Sequence, residues 1–305
     1  MKENFINSIT KNLKENQISI FLFHGVIKKN NFSIRNYTNK HLSENKFEKI
    51  IINLKKNANP LSMNDILRIY EGKENITGKN FAITFDDGFE NNLSVAYPIL
   101  RDYQIPMITY LTSDFVNNNE MSWIDKIEHS LELTKKKEIL LNKKIHDIKN
   151  RKNKIIFLNH VRNYYKRKKN IDLYKFASEI GVKVGVENIS NLKNHIDLKI
   201  NWKQVRKFKS EKYITFGGHS HTHKILSFLN NRDLENEIKT CKKLLSSKGG
   251  VINPHFSYPE GLRYCFSTKV IKMLKKFNYK CSPTAINGNN TLKTNLFNLK
   301  RIMVQ

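Results

Sequence analysis

The chain has 305 residues, 39% of them apolar, enough for one large buried core or two ordinary ones. Its 54 Lys and Arg against 27 Asp and Glu give a formal charge of +27, which fits either a bias toward Lys, Asn and Ile or an anionic partner. Three cysteines, Cys241, Cys265 and Cys281, lack metal-site spacing, argue against a disulfide framework and fit a reducing compartment. No apolar run approaches the length of a membrane span, and the opening MKENFINSITKNLKENQ has no apolar centre of a signal peptide. The expectation is a cytoplasmic protein, at most peripheral at the inner membrane face.

Residues 1–16 read as a polar arm and 17–305 as one catalytic domain. Ile18 to Phe23 is a compact apolar run, expected as a buried strand, and ends at His24-Gly25. Ser43 is a candidate cap for a helix with Phe47, Ile50, Ile51 and Leu54 on one face. Ser62 to Asp65 resembles a capping box opening a helix through Tyr70. Phe81 to Phe85 is a second buried strand, followed by Asp86-Asp87-Gly88 and a helix with Leu93, Ala96, Tyr97 and Leu100 inward. Met107 to Leu111 is a third strand. This alternation is that of an α/β fold.

Residues from about 126 to 200 break the rhythm and read as a helical insertion. Between Lys135 and Lys169 stand fourteen basic residues and two acidic ones, Glu138 and Asp147. Without stacking aromatics interleaved along a basic stripe, nucleic acid is not the expected partner; an anionic membrane surface is. The alternation then resumes: helix at Trp202 to Lys209, strand at Tyr213 to Phe216, helix at Asn231 to Ser247, strand at Val251 to Tyr258, helix at Phe266 to Phe277, and closing strands at Tyr279 to Ser282 and Leu299 to Val304.

Two stretches carry chemistry. Adjacent Asp86 and Asp87 lie at the C-terminal end of a parallel-type strand, where ligands collect in open sheets and barrels; one can hold a cation while the other handles a proton. Gly218-His219-Ser220-His221-Thr222-His223 follows another strand. Three histidines on one turn suit a metal better than three structural roles. A helical segment would put His219 and His223 on one face, whereas an extended one would align His219, His221 and His223. Two His and one Asp make an open site with room for water and substrate.

FAITFDDGFENN, GGHSHTH and FSYPEG, in that order, resemble the NodB-type polysaccharide deacetylases, and IFLFHGVI, MSWIDKIE and FNLKRIMV fit as supporting segments. The resemblance covers most of residues 18 to 304 and is weakest over the insertion. It implies a distorted (β/α) barrel and a divalent metal, zinc first, with cobalt, manganese or nickel as alternatives. The implied reaction is hydrolysis of an N-acetyl, or related N-formyl, amide on an amino sugar of a polysaccharide or glycolipid precursor. The substrate is N-acylated, with lipid- and nucleotide-linked forms both open. By position, Asp86 matches the catalytic base and Asp87, His219 and His223 the metal ligands. Tyr258, Pro259 and Glu260 match the segment that binds substrate and supplies an oxyanion N–H. Many members carry Arg where Ser257 stands, so an ion pair to the catalytic Asp must come from elsewhere, and Arg301 is the candidate. A late Leu-x-His motif is missing; in a circularly rearranged branch its histidine comes from the N-terminal strand, where His24 stands. The rival expectation is a catalytically inactive sugar-binding relative.

Overall fold

The computed structural model describes residues 9–169, 171–187 and 194–305. The main sheet is parallel, with strand order β10-β1-β5-β6-β9, where β1 is Gln17–Phe23, β5 Lys79–Phe85, β6 Met107–Leu111, β9 Ile214–Gly218 and β10 Ile302–Met303. Short strands β2 (Gly25–Ile27) and β3 (His41–Ser43) pair with each other, and a two-residue strand, β4 (Asn59–Pro60), adds to β5. β1 and β5 pair in register from Gln17↔Lys79 to Phe23↔Phe85, so both end at the same rim.

Beyond β9 the ring continues through isolated parallel bridges: Gly218 with Phe256, His255 with Cys281, and Pro283 with Leu299. Backbone bonds carry it on to the start, Arg301 N–H to Ile286 O at 3.0 Å and Val304 N–H to Leu22 O at 3.0 Å. This is an α/β barrel with one well-paired side and one irregular side. The strands expected at 251–258 and 279–282 are reduced to bridge residues, because Pro254, Pro259 and Pro283 remove donors that a continuous ladder needs.

Strand parity divides the core. Ile18, Ile20, Ala82, Ile108, Tyr110, Cys281 and Leu299 form an inner cluster, closed below by Met63, Ile66 and Leu67. Those last three belong to the helix Met63–Tyr70, which starts at the expected Ser62–Asp65 capping box. Residues of the other parity, including Phe21, Phe23, Phe81, Ile83, Phe85, Met107 and Phe216, pack outward with the helix face Phe47, Ile50, Ile51 and Leu54. Ile9 and Leu13 join this outer core, so over its described part the expected arm is anchored; residues 1–8 lie outside the described residues.

The segment after Gly88 forms a π-helical turn, Asn92–Ala96, before the short α-helix Tyr97–Asp102. The insertion has its own core, built on Trp123, Ile127, Leu131, Phe157, Leu158, Val161 and Ile180. It is not wholly helical: β7 (Glu138–Leu141) and β8 (Lys144–Asp147) make an antiparallel hairpin. Asn142 and Lys143 both take positive φ, 51° and 62°, the backbone of a two-residue turn that matches strand twist.

Candidate active site

Successive side chains on a strand alternate faces. The inward parity of β1, Ile18-Ile20-Leu22, continues to His24, and that of β5, Ala82-Thr84, continues to Asp86. Parity on the other strands likewise brings His219, Ser257 and Arg301 to the same mouth. His24, Asp86, Asp87, His219, His223 and Glu260 all line one pocket of about 210 Å³.

Asp87 joins Asp86 there by departing from strand geometry. Its φ is 71°, followed by Gly88 at 68°; the left-handed turn swings the second carboxylate back over the rim. Asn91 and Asn92, just after it, fix the neighbouring strand end. Asn92 Nδ2 donates to His24 O at 2.8 Å, and Asn91 Oδ1 accepts from Val26 N–H at 3.2 Å. Gly25 is required by close approach, since a Cβ there would lie 2.0 Å from His41 Nδ1 and 2.7 Å from Asn91 Oδ1.

The histidine loop is neither helix nor strand. Ser220 and His223 take positive φ, 65° and 60°. Glu237, from the helix Asn231–Ser247, accepts from the N–H groups of His221 and Thr222 at 2.9 and 2.8 Å. His223 N–H donates to Ser220 Oγ at 3.0 Å. This folding returns His223 to the pocket and turns His221 away, its Nδ1 2.9 Å from Ser113 Oγ.

Asp87, His219 and His223 form the one group of metal-ligand side chains among the described residues. Asp87 Oδ1 lies 3.5 Å from His219 Nε2 and 3.2 Å from His223 Nε2. Donors about 2.1 Å from one tetrahedral ion sit about 3.4 Å apart. His219 Nδ1 is 2.8 Å from Ser257 O, which fixes Nδ1–H as donor and leaves the Nε2 lone pair facing Asp87. Asp87 Oδ1 is buried and accepts no hydrogen bond. The other oxygen of Asp87 already meets Lys40; this one faces two imidazole nitrogens and suits a further cation, and the donor set fits a divalent one.

Arg301 grips Asp86 from below, Nη1 to Oδ1 at 2.8 Å and Nη2 to Oδ2 at 2.7 Å, with Arg301 1% exposed. The small Ser257 leaves the space and adds its Oγ, 3.0 Å from Arg301 Nη2. Burial alone would raise the Asp86 pKa; Arg301, with His219, overcomes it and holds the carboxyl below its usual range. For His24, burial dominates and lowers the pKa to about 4 against the opposing pull of Asp87.

Of Tyr258, Pro259 and Glu260 only Glu260 lines the pocket. Its φ is 62°, its N–H bonds no other described residue, and its carboxylate pairs with Lys166. Tyr258, expected to bind substrate, has the opposite parity from Ser257. Its ring is buried among Phe256, Leu274 and Phe297, and its hydroxyl donates to Phe297 O at 3.0 Å. Pro259 is buried and its carbonyl accepts from Gly261 N–H.

Several neighbours were not singled out in the sequence. Lys40 bridges Asp87 Oδ2 at 3.2 Å and Asp125 at 3.1 Å. Asp125 stands in the MSWIDKIE segment, the one signal that pointed to it. Trp123, Arg162 and Lys166 bring the insertion into the pocket wall. Lys199 is buried behind Phe89, its Nζ 3.2 Å from the ring centroid and without a hydrogen-bond partner.

Several solved structures share this fold. The Streptococcus pyogenes deacetylase PplD, solved with acetate, is 16% identical with a TM-score of 0.59, covering 95% of this chain and 93% of that one. IcaB from Ammonifex degensii is 12% identical, TM-score 0.60, covering 95% and 92%. A de-N-acetylase from Aggregatibacter actinomycetemcomitans is 14% identical, TM-score 0.60, covering 94% of each chain. No curated protein gives a significant sequence match. The polysaccharide deacetylase family model matches residues 73–282, well over half of the chain and the stretch that holds both Asp86-Asp87 and the histidine loop, so the protein belongs to the polysaccharide deacetylase family, hydrolases of carbon–nitrogen bonds in polysaccharide N-acetyl groups.

Proposed function

We propose that this chain is an active, metal-dependent deacetylase of an N-acetylated amino sugar in a polysaccharide or glycolipid precursor. The observation that carries the reading is the meeting of an ionised Asp86 with the Asp87, His219 and His223 cluster, whose buried Asp87 oxygen lacks a partner. Deacetylases of this family generally depend on a divalent metal, and two imidazoles with one carboxylate suit zinc best. Such an ion supplies Lewis acidity toward the amide carbonyl and makes water more acidic.

The chain's own residues divide the remaining work. Asp86, kept ionised by Arg301, takes the proton from the attacking water as the O–C bond forms. The Glu260 N–H offers a fixed donor to the developing oxyanion. His24, next to Asp86 on the adjoining strand, delivers a proton to the leaving nitrogen as the C–N bond breaks. At neutral pH its ring starts uncharged, so it must first gain a proton within the complex, for instance the one released from water. The placement of this histidine on the first strand supports the circularly rearranged arrangement. The unpaired basic residues of the insertion support contact with an anionic surface.

The test is amine release from a panel of N-acetylated and N-formylated sugars, with metal content measured in the same preparations. Turnover with about one ion per chain, abolished in Asp86→Asn while the ion is retained, is the expected result. Full metal loading with no turnover on any polymeric, lipid-linked or nucleotide-linked substrate would favour an inactive sugar-binding protein.

A further inference from the structure

A second cavity, of about 300 Å³, opens from the catalytic pocket and shares Trp123, Lys166, His223 and Glu260 with it. One wall is the insertion, at the end of the helix Arg151–Tyr165 and the start of the helix Leu173–Lys183. The other is the barrel segment that follows His223. The floor is apolar, with Ile171, Leu173, Ile225, Phe228 and Leu229. Lys168, Lys169 and Lys224 stand around it.

The charges there are unbalanced. Lys166 pairs with Glu260. Asp172 is spent as the cap of the helix Leu173–Lys183, accepting from the N–H groups of Tyr174 and Lys175. Lys168, Lys169 and Lys224 form no ion pair with any described residue. Lys169 instead reaches across to the barrel, its Nζ 5.7 Å from the Phe228 ring centroid. The rings of Trp123, Tyr174 and Phe228 in its lining suit a sugar, but its two carboxylates, Asp172 and Glu260, are already engaged and leave the lysines as the free polar groups. Cations over an apolar floor fit a phosphate joined to a hydrocarbon chain.

We propose that this groove binds the phosphate and apolar tail of a lipid-linked glycan, presenting the attached sugar to the neighbouring site. The inference rests on the deacetylase reading and specifies its substrate. It makes the insertion a substrate-reading element: a sugar at the rim, phosphate oxygens among Lys168, Lys169 and Lys224, and the first carbons of the tail against Ile225 and Phe228.

The experiment measures binding, so that it is independent of turnover. Full-length, metal-loaded Asp86→Asn protein is titrated with the decyl diphosphate ester of N-acetylglucosamine, uridine diphosphate N-acetylglucosamine, free N-acetylglucosamine and a neutral N-acetylglucosamine tetramer. The decyl ester should bind about 100-fold more tightly than the free sugar, since charge-assisted contacts and apolar burial add. Replacing Lys168, Lys169 and Lys224 together by Ala should weaken the decyl ester about 30-fold, with melting temperature and metal content unchanged. Phe228→Ser should weaken the decyl ester and leave the uridine compound alone.

Equal affinity for the neutral tetramer, or a lysine variant that binds the decyl ester normally, overturns the proposal. Uridine diphosphate sugar binding as tightly as the decyl ester overturns the tail. If wild type releases amine from no substrate while the decyl ester binds through the lysines, the deacetylase reading fails and the groove assignment stands.

Discussion

The two walls of the pocket are made differently. The barrel wall is built from strand ends. Register and parity place His24 and Asp86 side by side, Asp86 is buried and paired with Arg301, and Asn92 and Glu237 hold the backbone of His24 and of the histidine loop. The insertion wall is built from helix termini and long cationic side chains: Arg162 and Lys166 hold Glu128 and Glu260, whereas Lys168 has no ion pair among the described residues. A rigid set of short side chains can position a reacting bond to within fractions of an ångström, whereas flexible lysines supply field and contact. We infer from this contrast that the barrel carries the chemistry and that the insertion adapts the site to a substrate.

The largest effects should come from the barrel wall. His219→Ala or Asp87→Ala should abolish metal retention and activity together, while His221→Ala, which only loses its contact to Ser113, should keep the metal. Metal analysis after dialysis checks this, and a metal-free His221→Ala with a fully loaded His219→Ala would break the assignment. Loading should also depend on pH. Burial lowers the His219 pKa, but Asp86 and Asp87 outweigh it and raise the value above that of free histidine. Proton and metal compete for the ring, so affinity should fall as pH drops through that raised value.

Next come Asp86 and its clamp. Asp86→Asn should cost about 10²–10⁴ in kcat, the usual span for a general base, with fold and metal preserved. Arg301→Met should destabilise the protein by about 3–5 kcal/mol, because it leaves a buried carboxylate unpaired. It should also raise the Asp86 pKa, moving the acid limb of the kcat/KM profile to higher pH. Arg301→Lys, which restores one charge without the bidentate grip, should recover part of both. An acid limb that stays in place would show that Asp86 is not the group it reports.

His24→Ala should lower kcat less than Asp86→Asn does, with metal content unchanged. If His24 delivers a proton, the variant suffers least with activated leaving groups such as N-acetyl nitroanilides, whose departure needs no proton. A variant whose kcat falls by the same factor for activated and unactivated leaving groups would make His24 a positioning residue.

How legible each wall was follows from the same contrast. Asp86-Asp87-Gly88 and His219 to His223 are contiguous, and buried runs announce the strands before them. Arg301 could be suspected because Ser257 left its carboxylate partner unfilled. Tyr258 was misread because the substrate motif was taken as a block, although alternation separates Ser257, which faces Asp86, from Tyr258, which faces the core. The hairpin at 138–147 was missed because Asn142-Lys143 lacks the glycine that usually marks such a turn, and because exposed Leu140 and Ile145 blur the alternation. Lys40, Asp125 and Lys199 meet only in three dimensions, and no local pattern distinguishes them from the chain's many other lysines and acids.

Lys199 offers the smallest and most specific test. It closes the insertion, is 5% exposed, and has neither an ion pair nor a hydrogen bond on Nζ among the described residues; the rings of Phe89 and Phe115 face it. Burial is the main cause that lowers its pKa to about 8, with Asp87 and Asp125 pulling upward and Lys40 adding to the depression. The unfolded chain holds this proton up to about pH 10.4. The folded state therefore binds fewer protons between those values, and the penalty is fully present below pH 8 and fades as pH rises toward 10.4. Lys199→Met keeps the length and removes the charge. It should stabilise the protein at pH 7 by about 1–3 kcal/mol, read as a higher urea midpoint, and the difference from wild type should shrink as pH rises from 8 to 10. A gain that is the same at pH 7 and pH 10 would mean that packing, not the buried amine, is responsible. A loss of stability would mean that the contact with the Phe89 ring outweighs the cost of burying the charge.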